Sequence, residues 1–384
     1  MTAADPLATE DMAFLQATAW PASDASGADL TIVDLFCGCG GMTLGVWEAA
    51  RRAGRRPRAV LGCDVSDSQL AVYGSNFGPE SAKNEDLSRI SSLIGSAPTP
   101  LELRLFRPLR NQRIDFLVAG PPCQGHSNLN NHTRRSDPKN ELYPKVARAA
   151  ELIKPRHVLI ENVPAVMNDH GDAVNRTISA LQGLGYATAS GVVSLVTLGV
   201  AQTRKRHLLV ATKATEDEGS LDFKQLTSGF RTPLRSLRWA IGDLLDERRT
   251  GMMNEVPGMT DRTKERVDWL FENDEYDLPD SERPDCHRTK AHTYQSVYGR
   301  MSWDSPAPTI TGGFMTMGRG RFVHPQERRT LTPREAARVQ FFPEFFDFSP
   351  LTTRKSIAEA IGNAVPPKMS MVFAAALLKL DRAS

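Results

Sequence analysis

Residues 30–53, LTIVDLFCGCGGMTLGVWEAARRA, decide the fold. LTIVDLF is a short β-branched run, CGCGG is a turn built on glycine, and from Met42 the apolar positions recur at helical spacing. A strand, a tight turn and a helix in immediate succession begin an α/β unit. The alternation continues downstream: RAVLGCD (58–64) reads as strand, DSQLAVYGSNF (67–77) as helix, IDFLVAG (114–120) as strand, ELYPKVARAAELIK (141–154) as helix and PRHVLIENV (155–163) as strand. AVNRTISALQGLGY (173–186) then reads as helix, and ATASGVVSL (187–195) and RHLLVAT (206–212) as strands. Such alternation predicts right-handed crossovers and a mostly parallel sheet with helices on both faces, a Rossmann-like α/β fold.

The rest of the chain has a different texture. Residues 1–29 are rich in Ala, Ser, Asp and Pro and read as an extension with at most one short helix, so the sheet domain is expected over 30–213. Residues 214–350 are turn-rich and polar and form a second, smaller domain, within which Thr332 and Pro333 mark the cap and first turn of a helix. The segment 351–384 ends in an apolar helix expected to pack back on the sheet.

At 384 residues the chain exceeds what one core usually holds, which also favours two domains. Its 40% hydrophobic and 24% charged residues are those of a globular protein; no unbroken apolar run approaches the ~20 residues of a membrane span. The N-terminus lacks the basic start of a secretory signal, so the cytoplasm and no membrane partner are expected, with a monomer as the simplest state. Five cysteines, at 37, 39, 63, 123 and 286, show no paired CxxC spacing, which argues against disulfides and against a metal site. The net charge of +2 is small, but basic residues cluster at 51–58, 133–135, 203–207 and 318–329.

Chemistry concentrates in four places. The turn Phe36, Gly38, Gly40, Gly41 follows a strand and opens a helix, where glycine lets backbone approach a ligand and free amides face an anion. Asp64 ends the next strand, 23 residues after Gly41, the spacing at which a carboxylate takes ribose hydroxyls. The pattern is not GxGxxG, so S-adenosylmethionine fits as well as a dinucleotide, and Asp86 could take an adenine amine. GPPCQGHSN (120–128) puts Cys123 at the carboxyl end of a strand, between rigid prolines and a polar loop. A lone cysteine is more often a small buried hydrophobe. Here Glu161 ends the following strand, and Arg204 and Arg206, alternating along QTRKR, should share one face. Thiol, carboxyl and guanidiniums together suit addition to an electron-poor ring.

DLFCGCGG (34–41), GPPCQGHS (120–127), ENV (161–163), QTRKR (202–206), RTLTPREAARVQFFP (329–343) and IGNAVPP (361–367) resemble, in order and approximate spacing, the motifs of the DNA cytosine-5 methyltransferase family. The resemblance covers about residues 30–384. It implies a methyltransferase sheet, a target-recognition domain, S-adenosylmethionine as cofactor and double-stranded DNA as partner. By position, Phe36, Gly38, Gly40, Gly41, Asp64 and Asp86 would line the cofactor site, with Pro121 and Asn363 nearby. Cys123 would be the nucleophile, Glu161, with a raised pKa, the proton donor to ring nitrogen 3, and Arg204 and Arg206 the positioners. Gln124, Ser127, Arg134, Arg135, Gln202 and Thr309 would face the substrate.

Three positions depart from the usual pattern: Cys37 and Cys39 stand where alanine and a variable residue are common, and His126 where an aromatic is. Two alternatives remain, a tRNA cytosine-5 methyltransferase and a catalytically silent DNA-binding relative. The Cys-Phe-Thr tripeptide of RNA-acting relatives is absent, and no catalytic position is lost. A cognate restriction endonuclease acting separately is the expected companion of a DNA-modifying enzyme of this kind.

Overall fold

The computed structural model describes residues 5–22, 27–122, 141–213, 221–245, 247, 250–285 and 297–383. The chain divides into two compact units, one of residues 21–194, 205–231 and 365–384, the other of 1–20, 195–204 and 232–364.

The first unit is built on a seven-stranded sheet: β1 (Asp29–Leu35), β2 (Arg56–Asp64), β3 (Ala82–Asn84), β4 (Phe116–Ala119), β5 (His157–Asn162), β6 (Tyr186–Ser194) and β7 (Lys205–Lys213). Their order is β3-β2-β1-β4-β5-β7-β6. The first five are parallel, and β7 runs antiparallel to both β5 and β6. β4 and β5 are buried at every position, which is why both read as continuous apolar runs rather than as alternating ones. The helices of this unit include α2 (Gly41–Arg52), α3 (Asp67–Phe77), α4 (Pro100–Phe106), α5 (Leu142–Ile153) and α6 (Ala173–Gly183). One face of the sheet closes over Leu35, Leu61, Leu117, Ile160 and Leu209 with Tyr143 and Val146 of α5.

The last helix, Pro367–Ala383, lies on α2 where Gly45 leaves no side chain, and Ser370 Oγ donates to the Met42 carbonyl at 2.9 Å. The stretch Arg354–Arg382 has the length and hydropathy of a membrane span, yet 83% of its apolar window is buried inside the fold. Its apolarity serves packing. The basic stretch 51–58 is partly neutralised locally: Arg51 and Arg52 share Glu48, and Arg56 and Arg58 share Asp29.

The other unit gathers distant pieces of chain. Helix α1 (Pro6–Gln16), expected within a bare extension, belongs to it: Phe14 stacks on Phe341 with ring centroids 5.9 Å apart, and Trp20 meets Phe345 at 4.6 Å. The buried Arg235 guanidinium also holds Asp11 at 2.6 Å. This unit takes 195–204 from the stretch expected in the sheet domain, and 351–364 from the expected returning tail. The reason is visible at Gln202, whose backbone bridges to Ala307 and whose side chain reaches Gln340. The helix Pro333–Val339 starts where expected, with Thr332 and Glu335 forming a reciprocal capping box worth about 1 kcal/mol.

Candidate active site

The parallel strands of the sheet unit end together, and the turns leaving them carry the polar groups. After β1 the chain turns through three left-handed residues, Phe36 (φ 58°), Gly38 (φ 53°) and Gly40 (φ 95°). Phe36 pays no glycine discount, so the turn stores strain of the kind found at ligand-binding turns. A β-carbon on Gly38 would stand 2.9 Å from Gln69 Oε1, and one on Gly40 would run into the Phe77 ring. The packing of α3 therefore demands glycine at 40, whereas at 38 the left-handed backbone is the stronger reason, since the Gln69 side chain could move. Gly41 opens α2 with no side-chain bond from its cap, Gly40; the Thr43 amide is taken by the Asp34 carboxylate and the Gly41 amide by the Cys39 sulfur.

Asp64 closes β2 and ties that turn: its carboxylate accepts from the Gly38 amide at 2.9 Å and from the Ser66 amide at 3.0 Å. Beside it Val65 is 63% exposed, an apolar surface that the sequence reading overlooked because a single valine among polar residues carries no pattern. Asp86, just beyond β3, is exposed and accepts from the Ser88 hydroxyl and from the Ser88 amide, which together hold its carboxyl below the usual range. A partly exposed carboxylate, an apolar surface and a second carboxylate form the donor set a nucleoside takes, so these residues fit S-adenosylmethionine. Below the turn, Asp34 is buried against Thr43 Oγ1 at 2.7 Å, and desolvation pushes its carboxyl up to about 8. The thiols of Cys37, Cys39 and Cys63 are buried too; burial raises all three, which leaves them inert small hydrophobes.

β4 leads to Gly120 and the buried Pro121, whose carbonyl accepts from Asn162 Nδ2 at 3.2 Å. That bond clips the turn after β4 to the end of β5. The space above Gly120 is bounded by Glu161 Oε2 and Val365, each 3.8 Å from where a β-carbon would stand, and by the Phe36 carbonyl at 3.9 Å. Glu161 thus borders the turn that leads to Cys123, and the Phe36 carbonyl bounds the same space. Its carboxylate pairs with Arg206 on β7, Nε to Oε1, at 2.7 Å, with both side chains largely buried. The ion pair fixes where the Glu161 carboxyl stands.

Arg204 and Arg206 do not share a face. Arg204 precedes β7, belongs to the other unit and is 3% exposed; its guanidinium donates to the Ile310 carbonyl at 2.9 Å. Gln202, expected at the substrate, is fully buried, accepting from the Ile310 amide at 3.1 Å and donating to Gln340 at 2.9 Å. Its amide holds the backbone around Thr309, which is itself partly exposed. Asn363 is exposed at the end of the helix Arg354–Asn363. Cys123, Gln124, His126, Ser127, Arg134 and Arg135 lie outside the described residues, as does Cys286. Among the described residues no group of three or more His, Cys, Asp or Glu could hold a metal ion.

A family profile described as C-5 cytosine-specific DNA methylase matches residues 30–379. The Type II methyltransferase M1.BsuMI of Bacillus subtilis (strain 168) is 44% identical over 365 residues, covering 95% of this chain and 84% of that protein. The Type II methylase M.HgiDII of Herpetosiphon aurantiacus is 31% identical over 355 residues, covering 89% and 93%. Among solved structures, the Dnmt2 methyltransferase of S. pombe superposes with a TM-score of 0.61 at 18% identity, over 92% of this chain and 99% of that one, a likeness of fold.

Proposed function

The chain belongs to the C-5 cytosine-specific DNA methylase family, and from that membership we propose that it methylates carbon 5 of one cytosine within a specific duplex DNA site, through a covalent adduct at Cys123. S-adenosylmethionine supplies an electrophilic methyl group. The residues around Phe36, Gly38 and Gly41 would hold its amino-acid end, Asp64 its ribose, and Asp86 and Val65 its base, with Pro121 and Asn363 completing the site.

The target base must leave the stack, because no side chain reaches carbon 6 inside a duplex, and unstacking costs a few kcal/mol. The Cys123 thiolate then adds to carbon 6 while Glu161 donates to ring nitrogen 3, which turns carbon 5 into an enamine nucleophile. Carbon 5 would accept the methyl group, with the neutral thioether as leaving group; the carbon-5 proton would then pass to a water base and the ring-nitrogen proton back to Glu161 as Cys123 leaves as thiolate, giving 5-methylcytosine. Arg206 sets the position of the Glu161 carboxyl. The loop QGHSNLNNHTRRSDPKN (124–140) would close over the base, with Ser127, Arg134 and Arg135 on phosphates. Base-edge contacts would come from the turn-rich region around Thr309.

The observation that supports this reading is the space above Gly120, three residues before Cys123, bounded by the Glu161 carboxyl and by the Phe36 carbonyl. We further assign the enzyme to a bacterial cytoplasm, acting as a monomer to protect DNA sites that a separate endonuclease would cut. Bisulfite sequencing of DNA from cells expressing the chain tests it: conversion-resistant cytosines at one recurring site, absent with Cys123→Ala, are expected. Uniform conversion would refute the reading.

A further inference from the structure

The sheet unit has a second concave site at the pole away from Glu161. A cavity of about 1000 Å³ opens where β4 and β5 begin, between the turn after α4, the C-terminus of α5 and the end of β7. β5 is six residues long, so this site is ~20 Å from the turns described above.

Seven lining side chains are cationic and two anionic, in a chain whose net charge is only +2. Both lining carboxylates, Glu102 and Glu151, are engaged by the buried Arg148. Arg113 pairs with Asp115 at 2.9 Å and Arg156 with Asp381 at 2.7 Å. Arg107, Arg110 and Lys154 are exposed and have no carboxylate partner among the described residues. Lys213 donates to the Leu184 carbonyl over the Tyr186 ring, and its ammonium is held below its usual range by burial and then by the charge of Lys154. Two ammoniums repel across this wall without a counter-charge between them.

The backbone shows the same bias. Lys154 caps α5 in the left-handed region, φ 47° and ψ 54°, a conformation glycine takes without cost and lysine does not. The C-terminal dipole of α5 favours one cation there. It does not account for Arg107 and Arg110, which stand on the turn after α4.

We infer that this cavity binds a small anion bearing two or more phosphates, either a nucleotide or an inorganic polyphosphate. Guanidiniums take phosphate oxygens in pairs, several converging cations match a chain of phosphates, and the volume suits a small ligand. The cavity is concave, whereas a duplex offers a convex surface. Leu103, Ile114 and Leu152 add an apolar wall that an organic group could cover.

The test is calorimetric titration of the full chain, saturated with S-adenosylmethionine, with tripolyphosphate and with ATP. Saturable one-to-one binding is expected. Arg107→Gln/Arg110→Gln and, separately, Lys154→Gly should each weaken it about tenfold or more. Lys154→Gly should melt no lower than the parent, since glycine suits that backbone, and DNA methyl transfer should be unchanged in both variants. Tighter binding of ATP than of tripolyphosphate would assign the nucleotide as source; equal binding would assign the inorganic chain. Absence of saturable binding, affinities the variants leave unaltered, or displacement by duplex DNA lacking the target site would each overturn the inference.

Discussion

Glu161 and Arg206 form an ion pair 2.7 Å apart across β5 and β7, largely shielded from solvent. The carboxyl proposed to donate to the cytosine ring is thereby held beside a cation. The arrangement fixes the carboxyl in space.

Arg206→Ala should therefore slow single-turnover methyl transfer by about tenfold to a thousandfold, from lost positioning of the Glu161 carboxyl. An unchanged single-turnover rate would mean that Arg206 does not act through Glu161.

Asp64 bonds the Gly38 and Ser66 amides and faces the position assigned to ribose. Asp64→Ala should weaken S-adenosylmethionine binding about tenfold to a hundredfold, as expected for losing a charge-assisted bond. Calorimetry against the cofactor alone reads this directly. An unchanged dissociation constant would remove Asp64 from the site.

Gly40 adopts φ 95° against the Phe77 ring. Gly40→Ala adds both left-handed strain and overpacking, and should cost about 2–5 kcal/mol in urea unfolding. A loss below about 0.5 kcal/mol would show that the turn adjusts freely.

His207 is fully buried next to Tyr143, and burial lowers its imidazole from 6.5 to about 4. The unfolded chain takes this proton first, so stability is intact above pH 6.5 and declines as pH falls toward 4, by on the order of 3 kcal/mol. His207→Gln should show a shallower loss of unfolding midpoint between pH 7.5 and 5. Identical losses would assign the acid sensitivity elsewhere.

Much of this was legible in the sequence because its cause is local. LTIVDLF, IDFLVAG and HVLIEN announce buried strands by composition, and the carboxyl ends of parallel strands place Asp64 and Glu161 without further information. What was hidden depends on distant partners. Arg204 and Arg206 alternate as strand residues would, but β7 begins only at Lys205, and Arg204 is drawn to Ile310. Gln202 looks like a surface glutamine until Gln340, 138 residues later, takes its amide. Helix α1 has weak periodicity because it buries little more than Phe14 and Leu15, against Phe341 and Phe345. The left-handed Phe36 has no signal at all, since nothing in residue type marks a strained phenylalanine.

The central claim is that Cys123 bonds to carbon 6 of the target base. A duplex carrying 5-fluorocytosine at the modified position, incubated with the full chain and S-adenosylmethionine, blocks the last step, because fluorine cannot leave as the proton does. The account predicts a denaturation-resistant protein–DNA complex, with peptide mass analysis placing the methylated base on Cys123. Methylation of normal duplex by the same preparation with no such complex, or an adduct at another residue, would contradict it.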